Sequence, residues 1–514
     1  MSRTVLNFVN FIRGCEPRRP KDLLLPVREE IAADRKAGIK HTFLLQYDAL
    51  LRKDLVSAVC EGADENMELG LWFEIVRPLA ERVGIAWRGR PGYDWDWYVN
   101  PGFLEAYTQK ERRLLIDEAF RLFRETFGYY PTVAGSWLLD AYSMQYMSEK
   151  YGMDAFCVCR EQLAVDAYTL WGGYYSGGYY PSKNNMLCPS QSADTRIGTP
   201  VFRMLGIDPI YGYDESKNSE NHPRLNGCYT MEPYWDSGKN RAVMEWYFRE
   251  YYGNPSLAGS HATTGQENSF GWEGIADGYR LQLELAKKWE SEGNLTVETL
   301  GETGRRFRET YRDTPPSALS ALTDWSENGI RSVWFSSRYW RGNLFLRDGR
   351  LFFRDLFVFD DRFRERYLET PCADWSATYD NLPVVDRRRC MTAERNCAWS
   401  FAGKVAAITL SQNEAADELT VTVTNTDGTD WTLTMTENGF SAKNAPELTA
   451  EFGCGGDPVS VGETELKFRH EGFPYSVSVT EGRITKAGDI LYIRPDNGTL
   501  TVRMRRENNA CVQK

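Results

Sequence analysis

The first three hundred residues alternate short apolar runs with stretches of helical periodicity, the pattern of parallel strands joined by crossover helices. Eight runs stand out: Val5–Arg13, Thr42–Tyr47, Leu69–Phe73, Val133–Leu139, Ala155–Cys159, Val201–Leu205, Leu257–Ala262 and Leu295–Leu300. Several are apolar on both faces, as strands covered on both sides must be. The helices between them carry their own punctuation. Thr108 and Glu111 form a capping box ahead of the amphipathic stretch Arg112–Thr126, and Gly128 stands where a C-terminal cap belongs. Another helix is predicted from Asp22 to Lys36, again closed by a glycine. Eight units predict an α/β fold, a (β/α)8-like barrel of the TIM type over residues 1–325. The sixth and seventh runs are the least distinct, so seven strands are the alternative.

Beyond Trp325 the period changes. Glu418–Asn425, Trp431–Thr436, Thr464–Arg469 and Thr499–Arg503 alternate apolar and polar residues, and Asp427-Gly428, Asn438-Gly439 and Asn497-Gly498 supply hairpin turns. A C-terminal antiparallel β-sandwich is expected over residues 326–514. Ser332–Phe359 would join it to the barrel, with Arg341-Gly342-Asn343 able to reach back towards the barrel mouth.

Composition narrows the partners. A chain of 514 residues exceeds what one core organises, in keeping with two domains. A net charge of −11 argues against nucleic acid, whose backbone needs a basic surface. No run of about 18 apolar residues is present to span a membrane. The N-terminus reads as a first strand rather than a signal peptide. The 11 cysteines show no paired metal spacing, and Cys157 and Cys159 read as reduced core thiols, so a cytoplasmic location is expected. Self-association into a homodimer is left open.

Catalytic residues of such barrels come from the C-terminal ends of the strands and the loops after them. Here those positions hold Glu16, Asp48, Glu74, Asp140, Glu161, Asp208 and Glu267, with Glu298 or Glu302 near the eighth. Carboxylates converging on one pocket are what glycosidic bond cleavage needs, one as proton donor and one as base or nucleophile. Asp48 and Asp140 precede helix-like segments and read equally as N-caps, and Asp208 sits in a turn. Glutamate caps helices poorly, which shifts the weight to Glu16, Glu161 and Glu267, with Asp140 beside Trp137 retained. Gln266, Asn268 and Glu232 could hold sugar hydroxyls.

Two loops, Trp87–Tyr98 and Trp171–Gln191, are rich in aromatic and amide residues, including Trp171 and Asn184. Long loops of this kind at a barrel mouth build binding sites; packing of a lid is the plainer alternative. Arg13, Arg18, Arg160 and Arg203 also fall near strand ends, where they either pair with the neighbouring acids or bind an acidic sugar. Only His41, His222, His261 and His470 occur, and no pair has metal-ligand spacing. No GxSxG elbow, P-loop or strand-linked GxGxxG is present, so neither a metal nor any other cofactor is expected.

The stretches NFVNFIRGCEPR, TFLLQYDAL, ELGLWFE, GSWLLDAYSM, LWGGYYSGGYYPSKNN, PVFRMLGIDPIY and GQENSFGW resemble a largely uncharacterised family of bacterial glycoside hydrolases. More distantly, the layout is similar to the barrels of polysaccharide deacetylases and family 57 glycosidases. The Asp-and-double-His metal set of the deacetylases is missing here. A weaker similarity is to the inverting sialidases of glycoside hydrolase family 156. That resemblance implies roles for Arg203 and Asn343 in binding and for Glu16 as the first-strand acid, but no counterpart of that family's histidine follows the fourth strand. The resulting expectation is an exo-acting glycoside hydrolase, acting on a glycan terminus that could be an acidic sugar. Its carboxylate pair would come from Glu16, Asp140, Glu161 and Glu267. The alternatives are a non-catalytic glycan-binding barrel and a carbohydrate esterase or deacetylase.

Overall fold

The computed structural model describes residues 4–18, 22–161, 171–213, 230–233, 239–387, 397–452, 458–488 and 490–505. Seven parallel strands among them build a nearly closed barrel: Val5–Ile12, His41–Gln46, Met67–Trp72, Val133–Ser136, Ala155–Cys159, Val201–Met204 and His261–Thr264. The first six pair in chain order, and the seventh returns to the first with Val5 opposite His261. Between the sixth and seventh the ladder narrows to a hydrogen bond from Gly206 N to Thr263 O at 2.9 Å. A short antiparallel strand, Gly178–Tyr179, lies against the sixth at this seam.

The first strand is buried from end to end, although it carries Asn7 and Asn10. Both amides are paired, as burial in a barrel wall requires. Asn7 donates to Glu298 O at 2.8 Å and shares a hydrogen bond with His261 Nε2 at 2.7 Å, while Asn10 donates to Tyr279 Oη at 2.8 Å. The punctuated helices form where their signals stand. Leu24–Ala37 ends at Gly38 with φ 59°, and Gln109–Phe127 starts from the reciprocal Thr108–Glu111 box.

The last two apolar runs mislead. The seventh strand begins at His261, not Leu257, and is built from His261, Ala262, Thr263 and Thr264. Its polar side chains find partners inside the wall, so apolar content does not reveal it; Thr264 Oγ1, for one, donates to Met231 O at 2.6 Å. The eighth run supplies only Thr296–Val297, a two-residue strand beside the start of the first strand. From Thr299 a second capping box turns the chain into the helix Leu300–Thr310.

After the barrel come two antiparallel sheets. One runs from Ser317–Ala321 through Arg331–Ser336, Trp340–Arg347 and Arg350–Val358, and the other from Val405–Asn413 through Glu418–Asn425 and Asp430–Thr436. Strand alternation sends successive side chains of the first sheet to opposite layers. Val333, Phe335 and Phe353 share a core with Val421, Leu433 and Phe440 of the second sheet. Trp334, Phe345 and Phe352 pack instead with Leu6, Phe8 and Tyr213 of the barrel. The first sheet is therefore a middle layer, with one face on the barrel.

Candidate active site

At the ends of strands one, three and seven, Arg13 collects three carboxyl groups. Its Nη2 lies 3.0 Å from Glu74 Oε2 and 3.0 Å from Glu267 Oε2, and Nη1 is 3.8 Å from Glu16 Oε2. Arg18 grips Glu16 with a fork, Nε to Oε1 at 2.9 Å and Nη2 to Oε2 at 2.8 Å. The Trp95 indole is covered by both guanidiniums, Arg13 at 3.9 Å and Arg18 at 4.7 Å from the ring centroid. Arg18 is 28% exposed and marks the outer edge of the cluster; Arg13 is buried.

Local geometry holds each group in place. Trp72 Nε1 donates to Glu74 Oε2 at 2.8 Å from the last residue of the third strand. Asn268 clamps the first strand's exit: its Oδ1 accepts from Arg13 N at 2.9 Å, and its Nδ2 donates to Arg13 O at 3.1 Å and Leu23 O at 2.9 Å. Ser269 Oγ donates to Glu267 Oε1. Gly265 lets the seventh strand close on the first, because a Cβ there would fall 1.6 Å from Val9 O. Beside Glu74, Trp72 stacks on Phe11 at 4.1 Å, and Trp137 meets both edge-on at 5.4 Å.

Burial and neighbouring charge together set the protonation. Burial, with help from Glu267, pushes Glu74 up to about 7 against the pull of Arg13 and the Trp72 indole. Burial also works to raise Glu16, but Arg18 and Arg13 outweigh it and hold that carboxyl below its ordinary value. Nearby amides have capacity to spare. Neither end of the buried Gln46 side chain has a hydrogen-bond partner, nor does Gln266 Oε1. The amide of Gln266 makes only a 3.4 Å contact to Glu267 O.

A second cluster lies past strands five and six. Glu161 is bonded to Arg341 Nη1 and sits 3.8 Å from Arg203 Nη2. Arg341 comes from the first antiparallel sheet and forks onto Asp355 at 3.0 and 2.7 Å. Burial raises Glu161, but Arg341 and Arg203 overcome it and depress that carboxyl. Asp355 is pushed up to about 7, burial outweighing Arg341. Arg203 otherwise serves main-chain carbonyls, donating to Cys159 O at 2.8 Å and Gly172 O at 2.7 Å. Arg160 donates to Tyr251 Oη and Arg203 O, each at 3.3 Å. Trp171 packs against Tyr213 with centroids 4.6 Å apart.

The remaining predicted residues are spread more widely. Asp140 caps the helix Ala141–Tyr151 through Ser143 N at 3.0 Å and pairs with buried Arg112 at 2.6 Å. It borders a small, partly open pocket with Glu105 and Glu365, outside the Arg13 cluster. Asp48 accepts from Gly14 N at 3.0 Å and so ties the first strand's exit to the second. Asn184 donates to Asp361 O at 2.8 Å, and Glu232 is buried in the excursion before the seventh strand. Asn343 lies inside the antiparallel sheet, donating to Ser332 Oγ at 2.9 Å and accepting from Arg354. His222 lies outside the described residues. Glu74 stood in the row of strand-end acids but not among the expected catalytic residues. The signal that distinguishes it is its pairing with Arg13, 61 positions away.

No protein-family model matches the chain. No curated protein matches it either. Among solved structures it is similar to a protein from Parabacteroides distasonis described as a "putative glycoside hydrolase/deacetylase", with 17% identity, 73% of this chain and 90% of that one covered, and a TM-score of 0.51. A "putative polysaccharide deacetylase" from Mycobacterium smegmatis aligns at 9% identity over 60% of this chain and 91% of that one, with a TM-score of 0.38. A family 57 branching enzyme from Thermococcus kodakaraensis aligns at 12% over 60% and 71%, with a TM-score of 0.29. At these identities the likeness is one of fold, and it rests on the first of the three.

Proposed function

We propose that the protein is a carbohydrate-active hydrolase that cleaves a glycosidic bond with Glu74 and Glu267 as its carboxyl pair. The observation that carries this reading is the single Arg13 nitrogen bonded to both acids. One guanidinium cannot neutralise two buried carboxylates, so the pair keeps a proton up to about pH 7. Glu74, raised to about 7, holds that proton and donates it to the leaving oxygen. Glu267, set by Ser269 and the Asn268 clamp, attacks the anomeric carbon or activates water. Two oxygens each 3.0 Å from one nitrogen are no more than about 6 Å apart, nearer the spacing of retaining than of inverting enzymes. The Parabacteroides protein of the same fold carries a hydrolase description in keeping with this reading.

A panel of aryl glycosides that includes sialosides and uronides tests it. At least one member is hydrolysed by the native chain, and Glu74→Gln and Glu267→Gln each lose that hydrolysis. Turnover that survives both replacements sinks the assignment. Acetate released from an acetylated glycan, with no glycosidic product, would put an esterase or deacetylase in its place.

A further inference from the structure

Trp375 is the most exposed large apolar side chain among the described residues, at 65%. One exposed tryptophan needs no explanation, but a contiguous aromatic surface does. Trp375 stacks on Tyr98, with centroids 4.8 Å apart and planes 27° from parallel. Tyr98 adjoins Trp97 at 5.7 Å, and Trp97 adjoins Tyr93 at 5.8 Å. Tyr93, Trp97 and Tyr98 are half-buried, so the row keeps an open side.

The row is built rather than incidental. Trp375 belongs to the segment between strands Arg350–Val358 and Leu382–Asp386, which reaches across to the barrel. Val99 N donates to Trp375 O at 2.9 Å, and Cys372 N donates to Glu105 O at 2.9 Å, pinning that segment down. From the barrel side, Arg90 forks onto Asp96 at 2.9 and 2.8 Å and lies over Trp97 at 3.9 Å and Tyr93 at 4.4 Å. The rings are thus held in place before any ligand arrives, which lowers the ordering cost of binding.

The row also leads to the carboxyl cluster. Arg18 covers Trp97 at 5.0 Å and Trp95 at 4.7 Å, and Arg13 covers Trp95 at 3.9 Å. Arg90 lies over Tyr98 at 4.8 Å as well as over Trp97, and Arg18 lies over Trp97, so the open ring face is that of Trp375. A flat, open aromatic face suits a pyranose, which has an apolar C–H face and a ring of equatorial hydroxyls. We infer that Trp375, braced from behind by Tyr98, forms a stacking subsite for a pyranose unit of a glycan chain running from the carboxyl cluster across the barrel–sheet junction. This inference deepens the glycosidase reading and rests on it for the direction of the chain. It assigns Trp375, from outside the barrel, to substrate binding.

Binding without turnover is the measurement. Native gels are cast with dextran, polygalacturonate, hyaluronan or glycol chitin, and the native chain is compared with Trp375→Ala and Trp375→Phe. At least one polysaccharide retards the native protein; Trp375→Ala weakens that interaction about tenfold and Trp375→Phe restores most of it. Unchanged thermal midpoints confirm that each variant is folded. Equal retardation of the native chain and Trp375→Ala overturns the subsite, as does a native chain that none of the four retards. Self-association without polysaccharide, lost in Trp375→Ala, would assign the patch to protein contact and also overturn it. If retardation depends on Trp375 while no glycoside is hydrolysed, the catalytic reading fails and the subsite stands.

Discussion

Two glutamates at equivalent strand ends, Glu74 and Glu161, are both buried beside arginine, yet they are pushed in opposite directions. Around Arg13 three carboxyls crowd one buried guanidinium, with Arg18 at the edge, and Glu74 is raised to about 7. Around Glu161 the balance is more even, with Arg341 and Arg203 facing two carboxyls, Glu161 and Asp355, and Glu161 is depressed. A carboxyl that sheds its proton readily and is locked to two cations is a strut. One that keeps its proton near neutrality beside a second acid can donate it. For these two glutamates the neighbouring charge, not position along the strand, sets the direction; Asp355, forked by Arg341 and also raised to about 7 by its burial, shows that a raised carboxyl can equally belong to the scaffold.

Glu74→Gln should lower the rate of glycoside hydrolysis about 10²–10⁴-fold with little loss of stability, as steady-state kinetics and a denaturant titration would show. A full-rate Glu74→Gln enzyme would remove the distinction drawn above.

Next comes the strut. Glu161→Leu leaves Arg203 and Arg341 without their shared carboxylate in a water-poor interior, and should cost about 3–5 kcal/mol in urea unfolding. A loss below about 1 kcal/mol, the size of an exposed pair, would show that the cluster is hydrated and not a strut.

pH sharpens the contrast without mutation. Because Glu74 must be protonated to act, hydrolysis should decline as pH rises through about 7, and Glu74→Asp should move that limb. Beside the arginine-rich cluster, His261 is driven the other way: burial first, then Arg160 and Arg306, bring it down to about 3. Its folded value lies below the unfolded one. The stability it contributes is therefore complete above roughly pH 6.5 and drains away as pH falls towards 3. A His261→Asn variant should show a flatter acid limb in thermal melts, and an unchanged slope would exclude His261 as the cause.

The smallest effect concerns the edge. Arg18 is part-exposed, so Arg18→Gln should cost less than about 1 kcal/mol of stability. Removing its fork should nonetheless let Glu16 rise towards its ordinary value, visible by NMR titration of the carboxyl. No change there would leave Arg13 alone as the cause of the depression.

Much of the frame was legible in the chain. Strands one to six follow from apolar runs, the helices Leu24–Ala37 and Gln109–Phe127 from caps and glycines, and two late hairpins from Asp427-Gly428 and Asn438-Gly439; Asn497-Gly498 instead turns the chain from one sheet, at Ile490–Arg494, into the other, at Thr499–Arg503. The seventh strand was misplaced because His261, Thr263 and Thr264 satisfy their polar groups across the wall, an arrangement invisible to a test for apolar residues. The row of strand-end acids was equally legible, but not their division of labour. Asp140 turned into a helix cap bound to Arg112, and Asn343 into a hydrogen-bonded part of a sheet.

Local features are written in the chain: where most strands and helices start, which residue types stand at strand ends, and how many charges there are. The tertiary structure alone decided which of those acids share a cation. Glu74 meets Arg13 across 61 positions, Glu161 meets Arg341 across 180, and Trp375 reaches Tyr98 from beyond the barrel. The physical reason is range. Helix caps, turns and pleats are settled by neighbours in the chain, whereas a buried proton responds to every charge within a few ångströms, whatever its number.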